Sequence, residues 1–240
     1  MKIKKLYKLL KLILVKEFIT GLIYNVAATT EHISILQSIN KINTILDIGA
    51  NKGQFSLTAR HVFKDANIFS FEPLKNPIKK FIKLFNSDKK VTLFESAIGP
   101  KEEIVQMHVS NRDDSSSLLN IGKNQTTIFP GTKEKSTEEI KVAPLSHFLT
   151  KEELIKPVLV KIDVQGFELE VLKGSVELIH NFDFIYVECS FVELYEGQAL
   201  ASEVISFLDN YSFMLKGVYN TYYDKNKIAI QSDFLFQKLS

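Results

Sequence analysis

The sequence predicts a doubly wound α/β fold, a mostly parallel sheet with helices on both faces and an antiparallel edge. Three observations carry this expectation. Short apolar runs at 44–48, 67–71, 91–95, 158–162 and 184–187 alternate with segments of helical period. Two of the runs, 44–48 and 158–162, break into a glycine turn and then a helix, which opens a βαβ unit. The chain closes on two strand-like stretches, 214–218 and 228–236, around a polar turn, and these read as a hairpin.

Composition narrows the function classes. Apolar residues make up 45% and charged residues 24% of the 240 positions, as in an ordinary globular protein. A net charge of +2 gives no argument for a nucleic-acid partner. The single cysteine, Cys189, excludes an internal disulfide framework and a cysteine-rich zinc site. No run of apolar residues is long and charge-free enough to predict a spanning helix. The expected compartment is the cytoplasm.

Residues 1–26 differ from the rest. Lysines at 2, 4, 5, 8, 11 and 16 precede the first acid, Glu17. On a helical wheel Ile3, Leu6, Tyr7, Leu10, Ile13 and Leu14 share one arc and the lysines oppose it. Such a basic amphipathic helix suits a membrane surface, reached through residues 1–16, or a packed helix with a solvated face. Lys16 and Glu17 cut the apolar core that a secretory signal would need down to residues 12–15. The division expected is an N-terminal helix over 1–30 and one domain over 31–240.

A further helix over 31–43 leads into the strand Thr44–Ile48. Its tip bears Asp47, followed by Gly49, Ala50, Asn51 and Gly53, and by a helix with Phe55, Ala59, Val62 and Phe63 on one face. Glycines there let backbone approach a ligand, and the helix offers unpaired N–H groups. The next strand ends in Glu72-Pro73, and proline keeps Glu72 extended at the tip. In dinucleotide-binding folds an acid in this phase accepts from the two ribose hydroxyls. A basic helix over 77–85 follows, then a strand ending in Ser96-Ala97-Ile98, small enough for an aromatic ring to lie flat against the backbone.

The stretch 104–109 alternates as a half-exposed strand, and 110–139 turns polar, which leaves a flap over the site or disorder. Residues 140–143 return as a short strand and 145–149 as a short helix. Past the strand Val158–Ile162 comes Asp163, a turn at Gly166, and a helix ending at Gly174. Glu188 tips the strand at 184–187, and a helix from 201 to 208 precedes the hairpin. Asp47, Asp163 and Glu188 thus stand at carboxyl ends of central strands, the edge where open α/β sheets bind ligands.

Asp47-Ile-Gly-Ala-Asn-Lys-Gly53, Phe71-Glu72-Pro73, Ser115-Ser116-Ser117-Leu118 and the run Lys161 to Gly174 resemble the FkbM family of S-adenosylmethionine-dependent methyltransferases. The resemblance covers about residues 44–190. It implies a Rossmann-like class I sheet of seven strands with the last reversed, and O-methylation of hydroxyls on sugars or polyketide-type products. Carried over, Asp47, Gly49, Ala50, Asn51, Gly53 and Phe55 flank the methionine part of S-adenosylmethionine. Glu72 and Pro73 meet the ribose, and Ser96, Ala97 and Ile98 the adenine. One departure is Gln165, where the family usually has Glu.

Methyl transfer to an alcohol needs alignment, water exclusion and a base. Asp163 is the first candidate for the base and Glu188 the second. His108 and His147 flank the polar stretch and are expected within reach of the site. The two acids could share a divalent ion, but no spacing demands one and no metal is expected. The acceptor is a small molecule or glycan, with the oligomeric state undetermined. A nicotinamide-dependent oxidoreductase and a non-catalytic S-adenosylmethionine-binding protein are the rival readings.

Overall fold

The computed structural model describes residues 14–239. The strands, in chain order, are β1 (Thr44–Ile48), β2 (Asn67–Phe71), β3 (Val91–Phe94), β4 (Ala97–Ile98), β5 (Glu103–Ser110), β6 (Glu134–Ala143), β7 (Val158–Ile162), β8 (Phe184–Ser190), β9 (Phe213–Tyr223) and β10 (Ala229–Lys238). The helices are α1 (Lys16–Ile23), α2 (Ile33–Ser38), α3 (Gln54–Val62), α4 (Lys75–Phe85), α5 (Lys123–Ile128), α6 (Glu168–Gly174) and α7 (Ala201–Asn210).

A seven-stranded sheet runs β3-β2-β1-β7-β8-β10-β9. Strands β3, β2, β1, β7 and β8 are parallel, and β10 is antiparallel to both neighbours. The last strand is reversed, as the resemblance implies, and it slots between β8 and β9. Burial on both faces explains why β1 and β7 are apolar runs without alternation. On one face Ile45, Ile68 and Leu159 meet α2 and α3 through Leu36, Phe55 and Ala59. On the other Leu46, Val160 and Val187 meet α6 and α7 through Val171, Leu172, Val204 and Leu208.

The polar middle of the chain departs from expectation. The strand expected over 140–143 spans Glu134–Ala143, and it pairs antiparallel with β5 and parallel with β4 in a separate three-stranded sheet. Its first residues face solvent, so the charged run 133–139 carries no apolar alternation to announce a strand. Between β5 and β6 the chain forms a short turn of helix at Asp113–Ser115 and then α5. The polar stretch is thus folded over the sheet edge as a flap.

The expected basic helix over 1–26 lies, up to residue 13, outside the described residues. Within them, α1 packs inward through Phe18, which is fully buried with Leu57, Phe81 and Phe85. Leu14, Ile19 and Ile23 face solvent. Among the described residues no helix is long and apolar enough to cross a membrane.

Candidate active site

Beyond the carboxyl ends of β1, β2, β7 and β8 opens a cleft of about 400 Å3, lined by the turns after those strands and roofed by the flap. Gly49 and Ala50 donate their N–H groups to the Phe71 carbonyl, which fixes the β1 turn against β2. Gly49 has φ +80°, and a Cβ on it would lie 2.0 Å from the Asp163 carbonyl oxygen. The turns after β1 and β7 touch here with no room for a side chain. Gly49→Ala should therefore cost more than the ~1–2 kcal/mol of a left-handed alanine. Gly197→Ala, at φ +78° with open space around it, is the control. Urea unfolding of both variants separates collision from backbone strain, and equal losses would refute the collision.

Glu72 lies at the cleft floor, buried. Its Oε2 accepts from the Asn51 N–H at 2.9 Å and its Oε1 from the Leu74 N–H at 2.8 Å. Burial pushes its carboxyl up to about 7, against the pull of those two N–H groups. Ala50, Pro73, Ala97 and Ile98 line the cleft with it, Phe71 and Leu74 add apolar wall, and Phe55 lines the cleft beside His32, with ring centroids 5.6 Å apart. The Asn51 side chain turns to the flap, donating to the Asp113 carbonyl at 3.0 Å, and Lys52 Nζ lies 2.6 Å from Asp113 Oδ2.

Asp47, Gly53 and Ser96 do not line the cleft. Asp47 is fully buried, accepts from Ser56 Oγ, and pairs with Lys161 Nζ at 3.4 Å. Gly53 presses on the Phe81 and Phe85 rings. Ser96 Oγ donates to the Ala97 and Lys141 carbonyls.

Asp163 and Glu188 stand side by side, joined by Gln165. The Gln165 amide nitrogen donates to Asp163 Oδ1 at 2.8 Å and to Glu188 Oε2 at 3.1 Å. Its amide oxygen accepts from Tyr195 Oη at 2.9 Å, and Gln231 donates to Glu188 Oε1 at 2.6 Å. Gln165 adopts φ +57°, a left-handed turn that Gly166 continues. Burial and the carboxylates of Asp163 and Asp233 hold Glu188 well above the ordinary range. An acid at position 165 would be the third carboxylate in contact. The amide instead ties the pair together without added charge.

Lys161 is a buried cation of the site. Its Nζ lies 3.4 Å from Asp47 and 3.5 Å from Asp163, and it donates to the Gly49 carbonyl at 3.3 Å. Burial alone would favour the neutral amine, but Asp163 and Asp47 outweigh it and raise the ammonium above its usual range. The sequence offered one signal for it, a lysine inside an otherwise apolar strand. His32, Asn220, Gln231 and Asp233 also line the cleft and had no local signal. His108 and His147 are elsewhere, paired with Glu134 at 2.8 Å and Glu102 at 3.6 Å.

The residues on the glycine-turn side fit S-adenosylmethionine: a buried carboxylate for a diol, an apolar slot, and close backbone. A model of the FkbM methyltransferase domain matches residues 47–215. The chain belongs to the FkbM methyltransferase family. It is an S-adenosylmethionine-dependent methyltransferase, which decides against the nicotinamide-dependent reading. Among curated relatives, the 2-O-methyltransferase NoeI of Sinorhizobium fredii is 26% identical over 83% of this chain and 85% of its own. The hexuronic acid methyltransferase AglP of Haloferax volcanii is 29% identical over 64% of this chain and 59% of its own. Sp1610 of Streptococcus pneumoniae, described as a tRNA methyltransferase and solved with S-adenosyl-L-methionine, shares the fold at TM-score 0.50. The identity is 7%, over 89% of this chain and 75% of that one.

Proposed function

We propose that this FkbM methyltransferase methylates a hydroxyl of a sugar, free or within a glycan precursor. The observation that carries the reading is the Asp163–Gln165–Glu188 bridge, which sets two carboxylates at the cleft beside the cofactor half. The names of NoeI and AglP support a sugar acceptor. S-adenosylmethionine supplies an electrophilic methyl on a sulfonium, open to in-line attack by an oxygen nucleophile.

In this reading Asp163, whose side chain is 37% exposed, receives the hydroxyl proton. Glu188, held by Gln231 and Gln165, orients the acceptor. Gln165 keeps the two carboxylates in register, and the flap, tied down by Asn51 and Lys52, excludes water. Glu72 receives the ribose hydroxyls, beside Gly49 and Ala50. We assign residues 31–240 to the methyltransferase domain and 1–30 to an N-terminal segment that contains α1. Six lysines before Glu17, with Leu14, Ile19 and Ile23 exposed, support a peripheral membrane contact by that helix.

The test is incubation with S-adenosylmethionine and a panel of sugars and glycan precursors, read by mass spectrometry for one added CH2 on oxygen. Sugar ethers support the reading. Methylation confined to non-sugar hydroxyls refutes it.

Glu72 adds a pH signature to cofactor binding. Its carboxyl, raised to about 7, must ionise to accept both ribose hydroxyls. Binding therefore takes up the anion and releases a proton below that value. The Kd for S-adenosylmethionine should fall as pH rises, by up to about tenfold per unit, and level off above the Glu72 pKa. Glu72→Gln should weaken binding and flatten the profile in calorimetric titrations. A wild-type profile already flat below neutrality would remove Glu72 from the ribose contact.

A further inference from the structure

The cleft has a second half, formed by the carboxyl ends of β7 and β8 and the neighbouring part of the terminal hairpin. In the β8–β10 register Asp233 stands opposite Glu188. Asp163, Glu188 and Asp233 all line this half. Glu188 and Asp233 are held by neutral donors, and Asp163 by Gln165 and the Lys161 ammonium at 3.5 Å. Gln165 and Gln231 donate to Glu188, while Asn220 at 2.8 Å and Tyr186 at 2.9 Å donate to Asp233 Oδ2. His32 Nδ1 lies 3.5 Å from Asp233 Oδ2 and 3.0 Å from Tyr186 Oη, and burial lowers its pKa, which favours the uncharged ring.

Cations are few. Among the described residues lining the cleft the lysines and arginines are Lys161 and Arg112. Lys161 is already paired with Asp47 and Asp163, and Arg112 with both oxygens of Asp114 at 3.2 and 3.0 Å. A carboxylate on the acceptor would face three acidic side chains and would have to displace one of these pairings. Hydroxyl groups meet the opposite situation, since each acid offers acceptor capacity.

We propose that the acceptor is an uncharged sugar ring that presents neighbouring hydroxyls to Asp163 and Glu188, and that the site discriminates against hexuronates. The proposal rests on the sugar-methyltransferase reading and departs from the acceptor in the name of AglP. Burial and neighbouring carboxylates already hold Glu188 above its ordinary range, and a further anion would oppose its ionisation again. Like-charge juxtaposition at a desolvated contact is a strong specificity device.

The test compares a hexose, the matching hexuronate and the uncharged hexuronamide as methyl glycosides, by kcat/KM and by binding to protein loaded with S-adenosylhomocysteine. The expected order puts the hexuronate about 10²-fold below the other two. Asp233→Asn should narrow that gap, and Arg112→Gln should leave it in place. Hexuronate turnover equal to or above the hexose, or hexuronate binding that depends on Arg112, overturns the proposal and leaves the sugar reading intact. Transfer to none of the three, with S-adenosylhomocysteine bound, counts against both.

Discussion

Asp163→Asn should lower methyl transfer by about 10²–10⁴-fold while leaving the Kd for S-adenosylmethionine within a few-fold of wild type. The physical ground is the division of the cleft. Asp163 follows β7 and Glu72 follows β2, with β1 between them, so the substitution spares the proposed ribose contact and removes the group proposed to accept the hydroxyl proton. An amide keeps the size and the contact to Gln165, which makes this change gentler on the fold than alanine. Single-turnover rates and calorimetric titration on the same preparation give the two readouts. Glu188→Gln should act less severely on the rate, since Glu188 is proposed to orient. A rate unchanged by Asp163→Asn but abolished by Glu188→Gln would exchange their roles.

Lys161→Met should cost on the order of 3–5 kcal/mol, because one substitution strips the counter-charge from a fully buried carboxylate. Asp47 would keep only Ser56 Oγ as a close partner, and Asp163 would lose its cation at 3.5 Å. Against a typical total of about 5–15 kcal/mol, that loss brings the domain near unfolding at ambient temperature. The double variant Asp47→Asn with Lys161→Met removes both charges and should recover part of the loss, since an unpaired buried charge costs more than a neutral polar group. Denaturant unfolding of the set measures the coupling. Additive losses would mean that the 3.4 Å pair contributes nothing to stability. The pH dependence has a definite sign. A lysine raised above its usual range stabilises the fold throughout the neutral region, and the contribution disappears only as pH climbs through its raised value.

Local pattern was enough for the frame. Apolar runs spaced by helical segments give the parallel strands, because β1 and β7 are buried on both faces and their composition shows it. The turns at Gly49 and Gly166, with Asp47, Glu72, Asp163 and Glu188 at strand tips, were readable because glycine and a terminal acid mark a strand's carboxyl end. Motif resemblance added the reversed last strand, the cofactor and the family.

What escaped the sequence depends on contacts between distant segments. Strand β6 is exposed along its first half, so only pairing with β5 and β4 makes it a strand. His32 and Asp233 are 201 positions apart in sequence and meet at 3.5 Å because β10 inserts beside β8. Gln165 looked like a missing acid until the fold brought Asp163 and Glu188 to its two amide hydrogens. The sequence by itself determined the sheet, the glycine turns and the acids at its edge, since these follow from local periodicity and backbone conformation. Only the tertiary structure decided which charges neutralise one another and which line the cleft, because electrostatic pairing depends on distances between strands that no local pattern encodes.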